Sequence, residues 1–419
     1  MARLDAFAPA RPTNGVPPAL AVAAGAAIVA FVATLAVAIA GIVRVVTASG
    51  GAGGDFLSFY AAGYIVRHGM TDGLYNGVVQ SFVQHAVYPG DLDRATGYPL
   101  PLFAAWFFAP ISRLPFAAAY VLWLLANVAI LAAIVAALER HLARVPRFPR
   151  RAFLAIFATS MPVAANLVFG QVDFIIFAAL FGGYQLLRRD REVSAGVVLA
   201  AVLLKPQFLA GVVPMLLFWR QWHTLGALGG AGVVLLVLPA LLSHPGELAD
   251  NVRFIWHYPG AGQDLNVNAA RMSNLRGLIV SVIGRDTTAI WLPAMIGLAV
   301  ASYVIAGRRW RLSADGRIAA DQSYALAVMI PLLVSPHLHT QSLMLLFIPA
   351  AIALRGLFPP GDEAARGFER QSAIVAVLLA AYAALFAGWL STALGFAPLA
   401  LVVAAAFAAV AWRWPAPQP

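Results

Sequence analysis

Cysteine is absent from the chain, which excludes disulfides and thiolate metal sites and leaves the loops to be held by packing and hydrogen bonds. Charge is scarce as well. Asp, Glu, Lys and Arg make up 11% of the 419 residues, against 61% hydrophobic residues and a mean hydropathy of +0.81. So little polar surface excludes a soluble globule and places the chain in a bilayer. Period-two alternation is missing too, which excludes a β-barrel, so the backbone amides must be satisfied within helices. There is no repeat of fixed period, and no low-complexity linker apart from the Pro-rich ends at 9–18 and 415–419.

What is present is a series of apolar runs of roughly 15 to 25 residues. They predict an all-α polytopic membrane protein with about twelve transmembrane helices, at 18–46, 115–138, 152–168, 172–187, 193–204, 207–219, 224–242, 288–306, 322–335, 340–355, 371–390 and 393–412. The first run is longer than the roughly 7 to 15 apolar residues of a signal peptide and reads as a retained anchor. Residues 99–112 are apolar but short, either a re-entrant helix or an extra short span. Arginine-rich turns lie at Arg140 to Arg151, Arg188 to Arg191, Arg220, Arg308 to Arg317 and Arg355 to Arg370. The positive-inside rule puts these turns and both termini in the cytoplasm. The formal charge of +10 then reflects topology, and no nucleic-acid partner is expected.

The organisation expected is a cytoplasmic tail at 1–17, one membrane domain at 18–414 and a short tail at 415–419, with long outer loops near 47–98 and 243–287. Six of the eight histidines, His68, His85, His244, His257, His337 and His339, fall on the outer side. Polar chemistry is therefore sought there.

Asp55, in Gly53-Gly54-Asp55-Phe56-Leu57-Ser58-Phe59-Tyr60, follows the first span. It reads either as the N-cap of an amphipathic interfacial helix or as a base at the membrane surface, and the two are compatible. Lys205, the chain's only lysine, sits in Leu204-Lys205-Pro206-Gln207 between two short apolar runs. A charge there costs roughly 2.5 to 3.5 kcal/mol on insertion scales, so it needs an anionic partner such as a phosphate or must snorkel to water. Gln171 and Asp173 mark a tight outer turn, suited to capping, helix–helix bonding or substrate contact. His337 and His339 follow Ser335-Pro336 and suit acceptor orientation, phosphate binding or proton transfer, or are solvated loop residues. No third ligand lies near them, so no metal is expected. The segment with His257, Asp264, Arg271 and Arg276 mixes rings, amides and arginines, as a sugar and an anionic headgroup require or as an amphipathic connector would.

Taken in order, Asp55-Phe56 with Tyr60-Ala61-Ala62-Gly63 and Gly73-Leu74-Tyr75-Asn76, Tyr98-Pro99-Leu100-Pro101-Leu102, Phe169-Gly170-Gln171-Val172-Asp173, Ala195-Gly196, Leu204-Lys205-Pro206-Gln207 and Ser335-Pro336-His337-Leu338-His339 resemble a known family. It is the polyprenol-phosphate-sugar-dependent glycosyltransferases of family 87, in the GT-C superfamily, which include mycobacterial mannosyltransferases of phosphatidylinositol mannoside synthesis. Asn76 stands where many relatives have Asp, and one proline of the Tyr-Pro segment is displaced.

The resemblance implies a GT-C-type helical bundle with outer interfacial or re-entrant helices in the inner membrane, its active site on the periplasmic face. It implies an inverting hexosyltransferase, with mannose among the candidate sugars, that moves the sugar from a polyprenyl phosphate to a lipid or cell-envelope glycan acceptor. Asp55 is then the general base, and Lys205, Arg271 and Arg276 bind the donor phosphate. Gln171, Asp173, His257, Asp264, His337 and His339 contact substrate. No cofactor is expected, since the lipid-linked sugar is itself a substrate. A transporter or lipid flippase, and a non-catalytic assembly subunit of the same fold, are the competing readings.

Overall fold

The computed structural model describes residues 17–49, 54–92, 95–143, 145, 149–243, 246–257, 269–312, 317–357 and 367–413, and among them every regular element is helical. In chain order the helices are α1 Pro18–Val46, α2 Gly54–Arg67, α3 Gly77–Val87, α4 Leu102–Phe108, α5 Phe116–Leu142, α6 Arg150–Thr159, α7 Met161–Phe169, α8 Asp173–Leu187 and α9 Glu192–Leu199. They continue with α10 Leu209–Phe218, α11 Trp222–Leu242, α12 Glu247–His257, α13 Leu275–Ile283, α14 Thr288–Leu312, α15 Arg317–Val334, α16 Phe347–Leu357, α17 Gly367–Ala393 and α18 Leu399–Arg413.

All twelve expected spans fall on apolar helical segments, but only six of these reach membrane length: Pro18–Val46, Phe116–Leu142, Arg150–Phe169, Trp222–Leu242, Thr288–Trp310 and Ser372–Ala393. The expectation of about twelve full spans is corrected accordingly. The other six are units of 10–17 residues, and at 1.5 Å per residue even the 15-residue α8 covers only about 22 Å of a roughly 30 Å core. Residues 99–112 contribute the seven-residue α4, about 10 Å long and too short to cross.

Local sequence explains the breaks. The 152–168 run is interrupted at Ser160, whose backbone turns extended (ψ 151°) just before Pro162 opens α7. Lys205 precedes Pro206, and the proline ring excludes the α-region from the residue before it. Lys205 is accordingly non-helical (φ −136°, ψ 80°) and separates the α9 unit from α10.

Contrary to the amphipathic reading, α2 is buried on nearly all sides, including Phe56, Phe59 and Tyr60. Gly63 lets it press on α4, since a Cβ there would stand 2.5 Å from the Phe108 backbone, and the Tyr60 hydroxyl donates to the Leu114 carbonyl at 2.7 Å. Gly170 ends α7 in the left-handed region (φ +65°), and an added Cβ would also lie 2.7 Å from the Phe56 Cβ. Gly170→Ala is therefore expected to lower the melting temperature of the purified protein by several degrees, because strain of about 1–2 kcal/mol is joined by a clash. An unchanged melting curve would show that this turn does not fix α2.

Candidate active site

The turn that Gly170 creates carries Gln171 and Asp173 to the start of α2. Trp123 of α5 donates to the Gly170 carbonyl at 2.7 Å, and the Tyr120 hydroxyl lies 2.9 Å from the Val168 carbonyl. Two fully buried aromatic residues thus clamp the loop from below.

Asp55 lies in the first turn of α2, where the helix dipole favours negative charge. Its carboxylate is turned to the neighbouring loop: Gln171 Nε2 donates to Asp55 Oδ2 at 2.6 Å. The other end of the same amide, Gln171 Oε1, accepts from Lys205 Nζ at 2.9 Å. Lys205 also donates to both oxygens of Asp173, at 3.1 and 3.0 Å. Asp173 is wholly buried while the lysine side chain is 14% exposed, and Ser342 Oγ adds a bond of 3.2 Å to Asp173 Oδ1. One continuous chain of polar groups therefore runs from Asp55 through Gln171 and Lys205 to Asp173 and Ser342. It joins four segments far apart in sequence.

His337 and His339 stand on the loop after α15, their rings edge to face with centroids 4.8 Å apart. Burial holds both below the ordinary histidine range. For His339 the nearby Asp55 carboxylate and a hydrogen bond to the Arg271 backbone act in the opposite direction, toward the charged form. His339 therefore faces the same cluster as Asp55. Because the folded pair binds fewer protons than the unfolded chain does below about pH 6.5, its stabilising contribution is present above that pH and declines as pH falls. Melting curves at about pH 7.5 and about pH 5.5 should show wild-type losing stability in acid, and the His337→Gln/His339→Gln double variant losing less. Equal losses would remove the pair as the acid-sensitive element.

Among the other residues singled out by sequence, Arg276 is fully buried and already engaged. It is ion-paired with Asp286, bonded to the Pro336 carbonyl at 3.4 Å and stacked over Trp291 at 4.7 Å. It ties α13 to the histidine loop, a bond that Asn274 reinforces by donating to the Ser335 carbonyl at 2.7 Å. Arg271 is exposed and offers its backbone to His339. The side chain of His257 and all of Asp264 lie outside the described residues. Asn76 caps α3 by accepting from the amides of Val78 and Val79.

Sequence reasoning missed Ser342 and Asp286. Ser342 is three residues beyond His339, inside what reads as an apolar run, and Asp286 is ten residues beyond Arg276. Among the described residues, no group of three His, Asp or Glu side chains is placed to hold a metal ion.

Fold and cluster together define a multi-pass membrane protein with a buried, salt-bridged carboxylate, Asp173, at the start of a helix. The chain belongs to glycosyltransferase family 87, whose family model matches residues 98–336. That match takes in Gln171, Asp173, Lys205, Arg271 and Arg276, starts after Asp55 and stops before His337. No curated protein and no solved structure matches the chain.

Proposed function

We propose that this chain transfers a hexose, with mannose the first candidate, from a polyprenyl phosphate sugar to a hydroxyl of a lipid or envelope glycan. The observation that carries the proposal is the linkage of Asp55 to Lys205 through the single amide of Gln171. It sets a carboxylate and a cation a short distance apart, which is the pairing that sugar transfer from a phosphate ester requires.

In the reaction Asp55 takes the acceptor O–H proton as that oxygen bonds to the anomeric carbon. The bond from this carbon to the phosphate oxygen breaks from the opposite face, so configuration inverts and polyprenyl phosphate leaves. Phosphate needs no acid to depart, so one carboxylate suffices. Lys205 has three N–H donors. Gln171 takes one, and the Asp173 oxygens at 3.0 and 3.1 Å can share a second. The third is available to stabilise the phosphate. His339, neutral beside Asp55, is suited to hold the acceptor hydroxyl, and exposed Arg271 to meet the anionic carrier. Arg276 acts here as scaffold rather than as a donor ligand, because its guanidinium is committed to Asp286. The arginine-rich turns support a cytoplasmic location for both termini, an outer, periplasmic location for the site and a single membrane domain at 18–414.

The test is reconstitution of the full chain in vesicles with labelled polyprenyl phosphate hexoses and, separately, with nucleotide sugars. Transfer from the lipid-linked donors alone is expected. Transfer from nucleotide sugars would overturn the donor assignment, and carrier flux without transfer would replace the enzyme by a transporter.

A further inference from the structure

At the other end of α8, about 22 Å from Asp173 along the helix axis, lies a cavity of about 190 Å³ between α8, α9, α10 and α15. Its floor is polar and built. The Tyr184 hydroxyl donates to Asp321 Oδ1 at 2.9 Å, and Arg188 forms a short ion pair with the other carboxylate oxygen. Arg188 and Asp321 therefore neutralise each other. The lining keeps two further carboxylates, Asp190 and Glu192, and Glu192 also meets the exposed His223 at 3.0 Å. Gln221 adds an Oε1 that is buried with no donor among the described residues. Trp219, Tyr324 and the flanking aliphatic groups complete the wall.

This inventory selects a ligand chemistry. Acceptors outnumber donors, the formal charge of the lining is negative, and aromatic rings are present, so the occupant must bring a cation with N–H donors. An anion alone is repelled. Basic residues nevertheless adjoin the polar lining in sequence: Arg189 precedes Asp190, Arg191 precedes Glu192 and Arg220 precedes the amide Gln221, and all three arginines are exposed. A group with a primary ammonium pointing inward and a phosphate held at the rim satisfies both layers at once. We infer that this cavity binds an aminoethyl phosphate group, and that its source is the headgroup of a membrane aminophospholipid.

The proposal does not depend on the sugar-transfer reading, because its test measures binding. The full chain in detergent would be titrated with phosphatidylethanolamine, phosphatidylcholine, phosphatidylglycerol or soluble phosphoethanolamine, with retained ligand read by native mass spectrometry and by melting temperature. Phosphatidylethanolamine is expected to be retained about tenfold better than the choline lipid, whose quaternary nitrogen has no N–H to give. Asp190→Asn/Glu192→Gln, both near the surface and tolerant of change, should abolish that preference. A Gln221→Leu variant should weaken it without touching a charge. Binding of soluble phosphoethanolamine in place of the lipid would support the site with a soluble source. Equal retention of the ethanolamine and choline lipids, or a preference for phosphatidylglycerol, would overturn the proposal.

Discussion

Asp55→Asn should reduce sugar transfer by about 10²- to 10⁴-fold, the range that a positioned general base supplies. The substitution keeps size and planarity, and the Asn oxygen can still accept from Gln171 Nε2, the partner that holds Asp55 at 2.6 Å. The helix start therefore stays in place and the melting temperature should move by no more than about 2 °C. Asp55→Glu keeps the base but displaces it by one methylene, and misplacement on the ångström scale can cost about 10²-fold. The two variants together separate chemistry from structure. If Asp55 served only to hold α2, both would turn over like wild-type, and Asp55 would lose its assignment as base. Donor binding by Asp55→Asn should be retained, since Lys205 and Asp173 are untouched.

Much of this arrangement could be read from the residues, and what could not has a physical reason. The helical class followed from hydropathy alone, because lipid forces the backbone to bond within each segment. Helix lengths did not all follow: the break at Lys205-Pro206 was legible from the lone lysine and the proline, whereas the run 152–168 stays apolar across the break at Ser160. That Asp55 and Lys205 belong to one site was implied by the family resemblance, which gave them the roles of base and phosphate ligand. The amide joining them was not, because Gln171 lies 116 residues from Asp55 and 34 from Lys205 and only the packing of α2 on the Gly170 turn brings them together. Arg276 carried the signal of an anionic partner, an arginine in a polar loop, and in the structure the carboxylate of Asp286, ten residues on, meets it.

Asp173→Ala is expected to be the most destabilising single change in the site, costing about 3–5 kcal/mol, because it strands the charge of Lys205 beside a wholly buried position. Gln171 would remain as its partner, and an amide oxygen does not replace a carboxylate that accepts at 3.0 and 3.1 Å. Replacing both members, Asp173→Leu with Lys205→Met, should recover most of the loss, since a buried ion pair exchanged for apolar groups of similar volume is often neutral for stability. Sugar transfer should not recover. The phosphate would have lost its cation, and Gln171 would have lost the contact that orients it toward Asp55. Melting temperature and turnover measured on the two variants thus move apart, stability returning while activity stays low. Recovery of both would reduce the Lys205–Asp173 pair to a fold element, and a stable, active Asp173→Ala protein would mean that the lysine finds its counter-charge elsewhere.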